Sequence, residues 1–79
     1  MKPATLVGSI NSALAEALDD DDSVIVYGED VGVNGGVFQA TAGLQKRFGN
    51  RRCFDSPIAE SALVGTAIGM AMAGLRPVV

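Results

Sequence analysis

The sequence predicts an α/β fold, with a mostly parallel sheet and flanking helices, and three observations carry that expectation. Two short apolar runs read as strands: Val24-Ile25-Val26-Tyr27, nearly continuous in β-branched residues as expected of a strand covered on both faces, and the brief Cys53-Phe54. Segments with helical periodicity precede, separate and follow them. The resulting order of helix, strand, loop, helix, strand, helix and the start of a strand is the alternation from which parallel sheets are built.

The first helix is predicted from Leu6, Ile10, Leu14 and Leu18, which recur every fourth residue beside Ala13 and Ala17, while Ser9, Asn11, Glu16 and Asp19 take the other faces. Thr5 is the expected cap. Asp19-Asp20-Asp21-Asp22 should end the helix, because like charges at the negative end of the helix dipole repel one another and stay in water. A solvated turn is the reading preferred over a metal site.

The first strand delivers Gly28-Glu29-Asp30 at its carboxyl end, the place where open α/β sheets bind ligands. Glu29 is a candidate site residue, whereas Asp30 reads as the start of a loop. Gly32, Gly35 and Gly36 with Asn34 predict a sharply turned segment leading to Val37-Phe38. Their spacing is neither that of a dinucleotide fingerprint nor that of a P-loop. Thr41 is the expected cap of a short helix through Leu44 and Phe48, with Lys46-Arg47 in its last turn and Gly49 as a left-handed stop.

The second strand ends at Asp55 and runs into Ser56-Pro57-Ile58-Ala59-Glu60. Pro57 suits a first helical turn, with Ser56 or Asp55 as cap, so Glu60 is expected in or near the first turn of the helix that follows. No charge occurs from Ser61 to Leu75, and a helix apolar all round is normally buried. Glu60 is thus expected against a dry interior, where burial opposes its charge and the helix N-terminus favours it; such contests are typical of functional carboxyls. On the residues alone the preferred reading of Glu60 is an ordinary first-turn acid complementing the helix dipole. Ser61, Gly65, Gly69 and Ala73 form a stripe of small residues along this helix, which predicts close approach of another helix from this chain or a second one. Arg76-Pro77-Val78-Val79 opens a further strand, and the expectation is that the sequence stops inside it.

Composition narrows the function classes. A chain of 79 residues, 48% hydrophobic and 19% charged, has little chain with which to wrap an all-apolar helix, so it reads as part of something larger or an obligate oligomer. Its net charge of −3 and isolated basic pairs argue against nucleic acid. The single Cys53 excludes an internal disulfide, and the absence of histidine excludes a Ser-His or Cys-His pair and an ordinary zinc site within these residues. Cys53 is expected as a small buried hydrophobe. No secretory signal pattern opens the sequence, and the uncharged run is shorter than the ~20 residues of a membrane span, so neither secretion nor a membrane partner is expected.

Several spaced motifs then occur in one order: Gly28-Glu29-Asp30-Val31-Gly32, Gly35-Gly36-Val37-Phe38 with Thr41 and Gly43-Leu44, Asp55-Ser56-Pro57-Ile58-Ala59-Glu60, and Gly65 through Gly74-Leu75-Arg76-Pro77-Val78. Together they resemble the start of the E1 β subunit of 2-oxo acid dehydrogenases, of pyruvate or branched-chain type. The resemblance implies that residues 1–79 are the N-terminal part of a transketolase-like pyrimidine-binding domain, truncated, in a thiamine diphosphate enzyme of α2β2 type. It implies oxidative decarboxylation of a 2-oxo acid, with acyl transfer to a lipoyl-bearing E2. Glu60 matches the family glutamate that hydrogen-bonds N1′ of the aminopyrimidine and favours the imino tautomer, whose 4′ nitrogen takes the thiazolium C2 proton. Glu29 matches a second family acid near the cofactor, and Ile58 is placed in the lining of the pyrimidine pocket.

The same resemblance implies an E1 α subunit as partner, which carries most of the magnesium and diphosphate site, and a second β subunit packed on the Ser61, Gly65, Gly69 and Ala73 face. The 79 residues alone are not expected to be active. A cytoplasmic location is implied for a bacterial chain and the mitochondrial matrix for a processed eukaryotic one. Two alternatives stand beside this reading: a related thiamine enzyme of the acetoin dehydrogenase type, and a non-catalytic α/β module that dimerises through the small-residue stripe.

Overall fold

A computed structural model describes residues 5–57 and 59–79. Its elements run α1 (Leu6–Asp20), β1 (Val24–Gly28), a 3-10 turn (Val37–Gln39), α2 (Leu44–Phe48), β2 (Cys53–Asp55), α3 (Glu60–Met72) and β3 (Arg76–Val78). The three strands form one parallel sheet in the order β2-β1-β3, with Val26 opposite Cys53 on one side and Val24 opposite Arg76 on the other. The α/β expectation holds, and the Val24 run forms the central strand.

Thr5 caps α1: its hydroxyl accepts from the Gly8 amide at 2.9 Å, satisfying one of the free N–H groups of the first turn. At the other end Asp21 leaves the helical region, and its carboxylate accepts both the backbone N–H and the hydroxyl of Ser23, at 2.9 and 2.6 Å. This local turn holds the Asp21 carboxyl below its ordinary range, chiefly through the Ser23 hydroxyl. The acidic run ends α1 as its charge density implies, with Asp19 and Asp20 in the last turn of the helix and Asp21 and Asp22 in the turn that follows.

Leu18, Val24, Val26, Leu44 and Cys53 make the core, with Leu14, Ala15, Ala17 and Phe48 packed around it. Cys53 and Leu18 are fully enclosed. Burial, and secondarily the Asp55 charge, pushes the Cys53 thiol up, so it behaves as the buried hydrophobe expected.

Three local expectations are corrected. Thr41 does not cap α2, whose N-cap is Gly43 at φ 79°; Thr41 is buried instead and its hydroxyl donates to the Val31 carbonyl at 2.8 Å, pinning the turned loop against the sheet. Gly49 stops α2 with a positive φ of 89°, but its ψ of 163° lies outside the left-handed helical well. Finally, α3 begins at Glu60 and not around Pro57, with Ala59 at the cap position and no side-chain cap bond. The side chains expected as caps are engaged elsewhere: the Asp55 carboxylate accepts from the Gly32 amide, and the Ser56 hydroxyl donates to the Pro57 carbonyl.

The burial expected of α3 is not met among the described residues. Leu63, Ala67 and Met70, spaced by four and three, turn toward the sheet and are half-buried, while Val64, Ile68 and Met72 are exposed. A Cβ built on Gly65 or Gly69 would touch nothing within 4 Å. The physical reason is coverage: α3 packs on β3 and the sheet, and among the described residues no other helix packs broadly against it.

Candidate active site at the carboxyl ends of the strands

β1 and β2 end side by side, Gly28 opposite Asp55, and the Ser56 amide donates to the Gly28 carbonyl at 2.9 Å, carrying the ladder one step past the strands. Two segments thereby leave the sheet together: Glu29 and the loop after it from β1, and Ser56-Pro57 from β2.

The β1 loop is fixed by a close approach. The Asp55 carboxylate accepts the Gly32 amide at 2.7 Å, and a Cβ on Gly32 would sit 3.2 Å from both Asp55 oxygens and 2.7 Å from the Gln45 amide nitrogen. A larger residue there would have to displace the Gln45 and Asp55 side chains. Beyond it, Gly36 donates to the Asp30 carbonyl and Thr41 to that of Gly35, which folds the segment back on itself. Asp30 itself is exposed, in the left-handed region at φ 60°, a conformation tolerated by aspartate in turns. Its reading as a loop residue stands.

Glu29 is half-buried. Its Oε1 is buried without a hydrogen-bond partner among the described residues. Buried carboxylate oxygens are ordinarily paired, so an unpaired one marks a place where a ligand or another polar group completes the structure.

Glu60 opens α3, where the free N–H groups and the positive end of the dipole favour a negative charge. It is exposed, which corrects the expectation of a dry interior; among the described residues nothing is packed over this helix end. Its neighbours in sequence, Ala59 and Ala62, line an apolar cleft of about 210 Å³ together with Tyr27, Ser56, Pro57, Leu63 and Thr66. Glu60 therefore belongs to a helix turn that walls a hollow of hydrocarbon and aromatic surface. Ile58 lies outside the described residues. A larger hollow of about 330 Å³, lined by Gly32, Val33, Gly43, Gln45 and Lys46, lies beside the β1 loop and includes none of the candidate acids.

Tyr27 was not singled out in the sequence. It is the last buried side chain of β1, stacks on Phe54 of β2 at 5.3 Å between centroids, and directs its hydroxyl to the Leu63 carbonyl at 2.9 Å and the Thr66 hydroxyl at 3.0 Å. The aromatic end of an otherwise aliphatic strand was the available signal. Among the described residues no cluster of three or more His, Cys, Asp or Glu could hold a metal ion, and no helix is long and apolar enough to cross a membrane.

Comparison with known proteins gives this geometry a family. Relatives named "Pyruvate dehydrogenase E1 component subunit beta" are 57% identical over 74 residues in Acholeplasma laidlawii, 56% over 78 residues in Staphylococcus epidermidis and 55% over 78 residues in Staphylococcus aureus. These matches cover 94%, 99% and 99% of this chain, which spans 23–24% of the length of the relatives. Residues 2–79 match the family model described as "Transketolase, pyrimidine binding domain", so the chain belongs to the transketolase pyrimidine-binding domain family.

Proposed function

We propose that residues 1–79 are the N-terminal part of the pyrimidine-binding domain of a thiamine diphosphate-dependent 2-oxo acid dehydrogenase E1 β subunit, of pyruvate type. The printed names of the relatives favour pyruvate over a branched-chain 2-oxo acid. One observation carries the assignment of the site: a glutamate in the first turn of α3, flanked by Ala59 and Ala62 of an apolar cleft, with a second acid at the end of the neighbouring central strand.

The residues fit the aminopyrimidine half of such a cofactor. The cleft offers Pro57, Ala59, Ala62 and Leu63 to an aromatic ring, and the unpaired Glu29 Oε1 is an acceptor in want of a donor. When bound, thiamine diphosphate supplies the carbon nucleophile that decarboxylates a 2-oxo acid. With the cofactor bound, Glu60 would share a proton between its carboxyl and the ring nitrogen N1′, the helix N-terminus favouring its charged, proton-accepting form. Glu29 supports it as a second acid, and Ile58 is assigned to the pocket lining by the family resemblance.

The remaining parts of this reading concern partners. An E1 α subunit supplies most of the magnesium and diphosphate site, a second β subunit covers the Ser61, Gly65, Gly69 and Ala73 face, and lipoyl-E2 receives the acyl group. The bacterial relatives favour a cytoplasmic location.

The test is C2-proton exchange of thiamine diphosphate, followed by NMR on the full-length subunit co-expressed with its α partner. Glu60→Gln is expected to keep cofactor binding and to lose about 10²-fold or more in exchange rate, the range of a general acid–base group. Equal exchange in the two proteins overturns the catalytic assignment and leaves Glu60 as a helix-end acid.

A further inference from the structure

We infer that the Tyr27 hydroxyl is a positioning group that sets the rotation and height of α3, and through it the place of the Glu60 carboxyl. This role presupposes the one proposed for Glu60. The need for such a group follows from the character of α3. None of its side chains is buried, its residues are mostly small or apolar, and Gly65 and Gly69 offer no knob to interlock with a neighbour. A smooth apolar helix on a sheet is held by non-directional forces, which resist separation far better than they resist sliding or turning. Directional bonds are what define its register.

Among the described residues, the hydrogen bonds that join α3 to another element both end at one atom, the Tyr27 Oη. It meets the Leu63 carbonyl at 2.9 Å and the Thr66 hydroxyl at 3.0 Å, while the Thr66 hydroxyl reaches the Ala62 carbonyl at 2.7 Å and that of Leu63 at 3.1 Å. Two hydroxyl protons serve these contacts, and both ways of sharing them tie the helix to the strand. Either Tyr27 donates to Leu63 and receives from Thr66, or it donates to Thr66, which donates to Ala62.

The tie is itself anchored. Tyr27 is 3% exposed, on the central strand, with its ring stacked on Phe54. Leu63 stands three residues after Glu60, hence on the same side of the helix and about 4.5 Å along its axis. Tyr27, Leu63 and Thr66 also line the cleft flanked by Glu60's neighbours. Slippage at Leu63 would thus be transmitted to the carboxyl almost undiminished, and misplacement of a catalytic group by about 1 Å can cost 10²-fold in rate.

Tyr27→Phe tests this in the full-length subunit assembled with its α partner, since it removes the hydroxyl and keeps the stacked ring. Two readouts are taken: amide hydrogen exchange of the cofactor-free complex over residues 59–67 and 24–28, and C2-proton exchange at saturating thiamine diphosphate as a function of pH. The expected result is faster amide exchange in α3 with β1 unchanged, and a drop of roughly tenfold or more in C2 exchange with the cofactor Kd nearly unaltered. Thr66→Val should move both readouts in the same direction, and Thr66→Ser, which keeps the hydroxyl, should restore them. Native C2 exchange in Tyr27→Phe, beside a Glu60→Gln variant that has lost it, overturns the positioning role, as does looser α3 amide exchange with unchanged chemistry. Native exchange in Glu60→Gln overturns the proposed function itself and removes what Tyr27 would position.

Discussion

α1 and α3 flank the same three-stranded sheet and are opposites. α1 is amphipathic, capped by Thr5, and drives Leu18 to complete burial. α3 is far more apolar, has no side-chain cap and buries no residue completely among those described. Hydrophobicity and burial thus run in reverse order between them. The lesson is that an amphipathic pattern is self-sufficient, since its polar side needs no cover, whereas an all-apolar helix describes a surrounding that one sheet cannot supply. α1 is covered by its own chain over its C-terminal half, where Leu14 and Leu18 pack, while Leu6 and Ile10 stay exposed; α3 is open along its whole outer face, which agrees with the second β subunit proposed above.

The largest expected effect breaks the α1 side. Leu18→Ala opens a cavity in the enclosed core and should cost about 2–5 kcal/mol in chemical denaturation of the full-length subunit; Ile68→Ala, on the open face of α3, should cost less than about 1 kcal/mol in the dissociated subunit. If the two costs are alike, the contrast between the helices is lost.

Glycines sharpen it next. Gly35 lies at φ 80° with a built Cβ 2.9 Å from the Gln39 amide oxygen and 3.1 Å from the Ala42 Cα, so Gly35→Ala should destabilise by more than about 1 kcal/mol. Gly65→Ala meets open space within this chain and should raise the helicity and stability of the dissociated subunit by about 0.5–1 kcal/mol. In the assembly the sign should reverse, read as a shift of the dimer dissociation constant, because a methyl group on the stripe then meets the covering helix.

The smallest effect concerns the end of α1. The Asp21 carboxyl is held low by Ser23, so the folded chain binds its proton less readily than the unfolded one. The stability this contributes is present above the ordinary carboxylate range near 4 and fades as pH falls through the lowered value. A shallow acid slope in a pH series of denaturation midpoints is expected, and Asp21→Asn should flatten it by a small loss at neutral pH that vanishes in acid. The Arg76 contact at 3.5 Å is solvent-exposed and adds little.

Where a feature depends on local chemistry, it was readable in advance. The Thr5 cap, the period of α1, the β-branched run of β1 and the acidic turn all follow from neighbours within four residues. Thr41 shows where that reading stops: a threonine shortly before a helix is a good cap by local rules, and only the loop fold that brings it to the Val31 carbonyl reveals its other use. Asp55 is the same case, a nearby cap by sequence and a partner of Gly32 by tertiary structure. Phe38, exposed and at φ 53° in the 3-10 turn, had no signal at all, since large side chains rarely adopt that conformation. The positions of Glu29 just past β1 and Glu60 at the start of α3 could be read from the sequence, while the bonds of the Tyr27 hydroxyl could not, because its partners lie near residue 65.

The strand order has a consequence for the chain's birth. β1 is made first, yet it is the middle strand: Val26 pairs with Cys53, and Val24 with Arg76. At the ribosome's pace of about 5–20 residues per second, its two edges stay bare for seconds, and a nascent Val-Ile-Val-Tyr edge is a template for wrong pairing. α1, complete before β1 emerges, can shield one face of that strand but neither edge. A nascent-chain arrest series should therefore show its greatest dependence on chaperones at lengths where β1 has emerged and β3 has not.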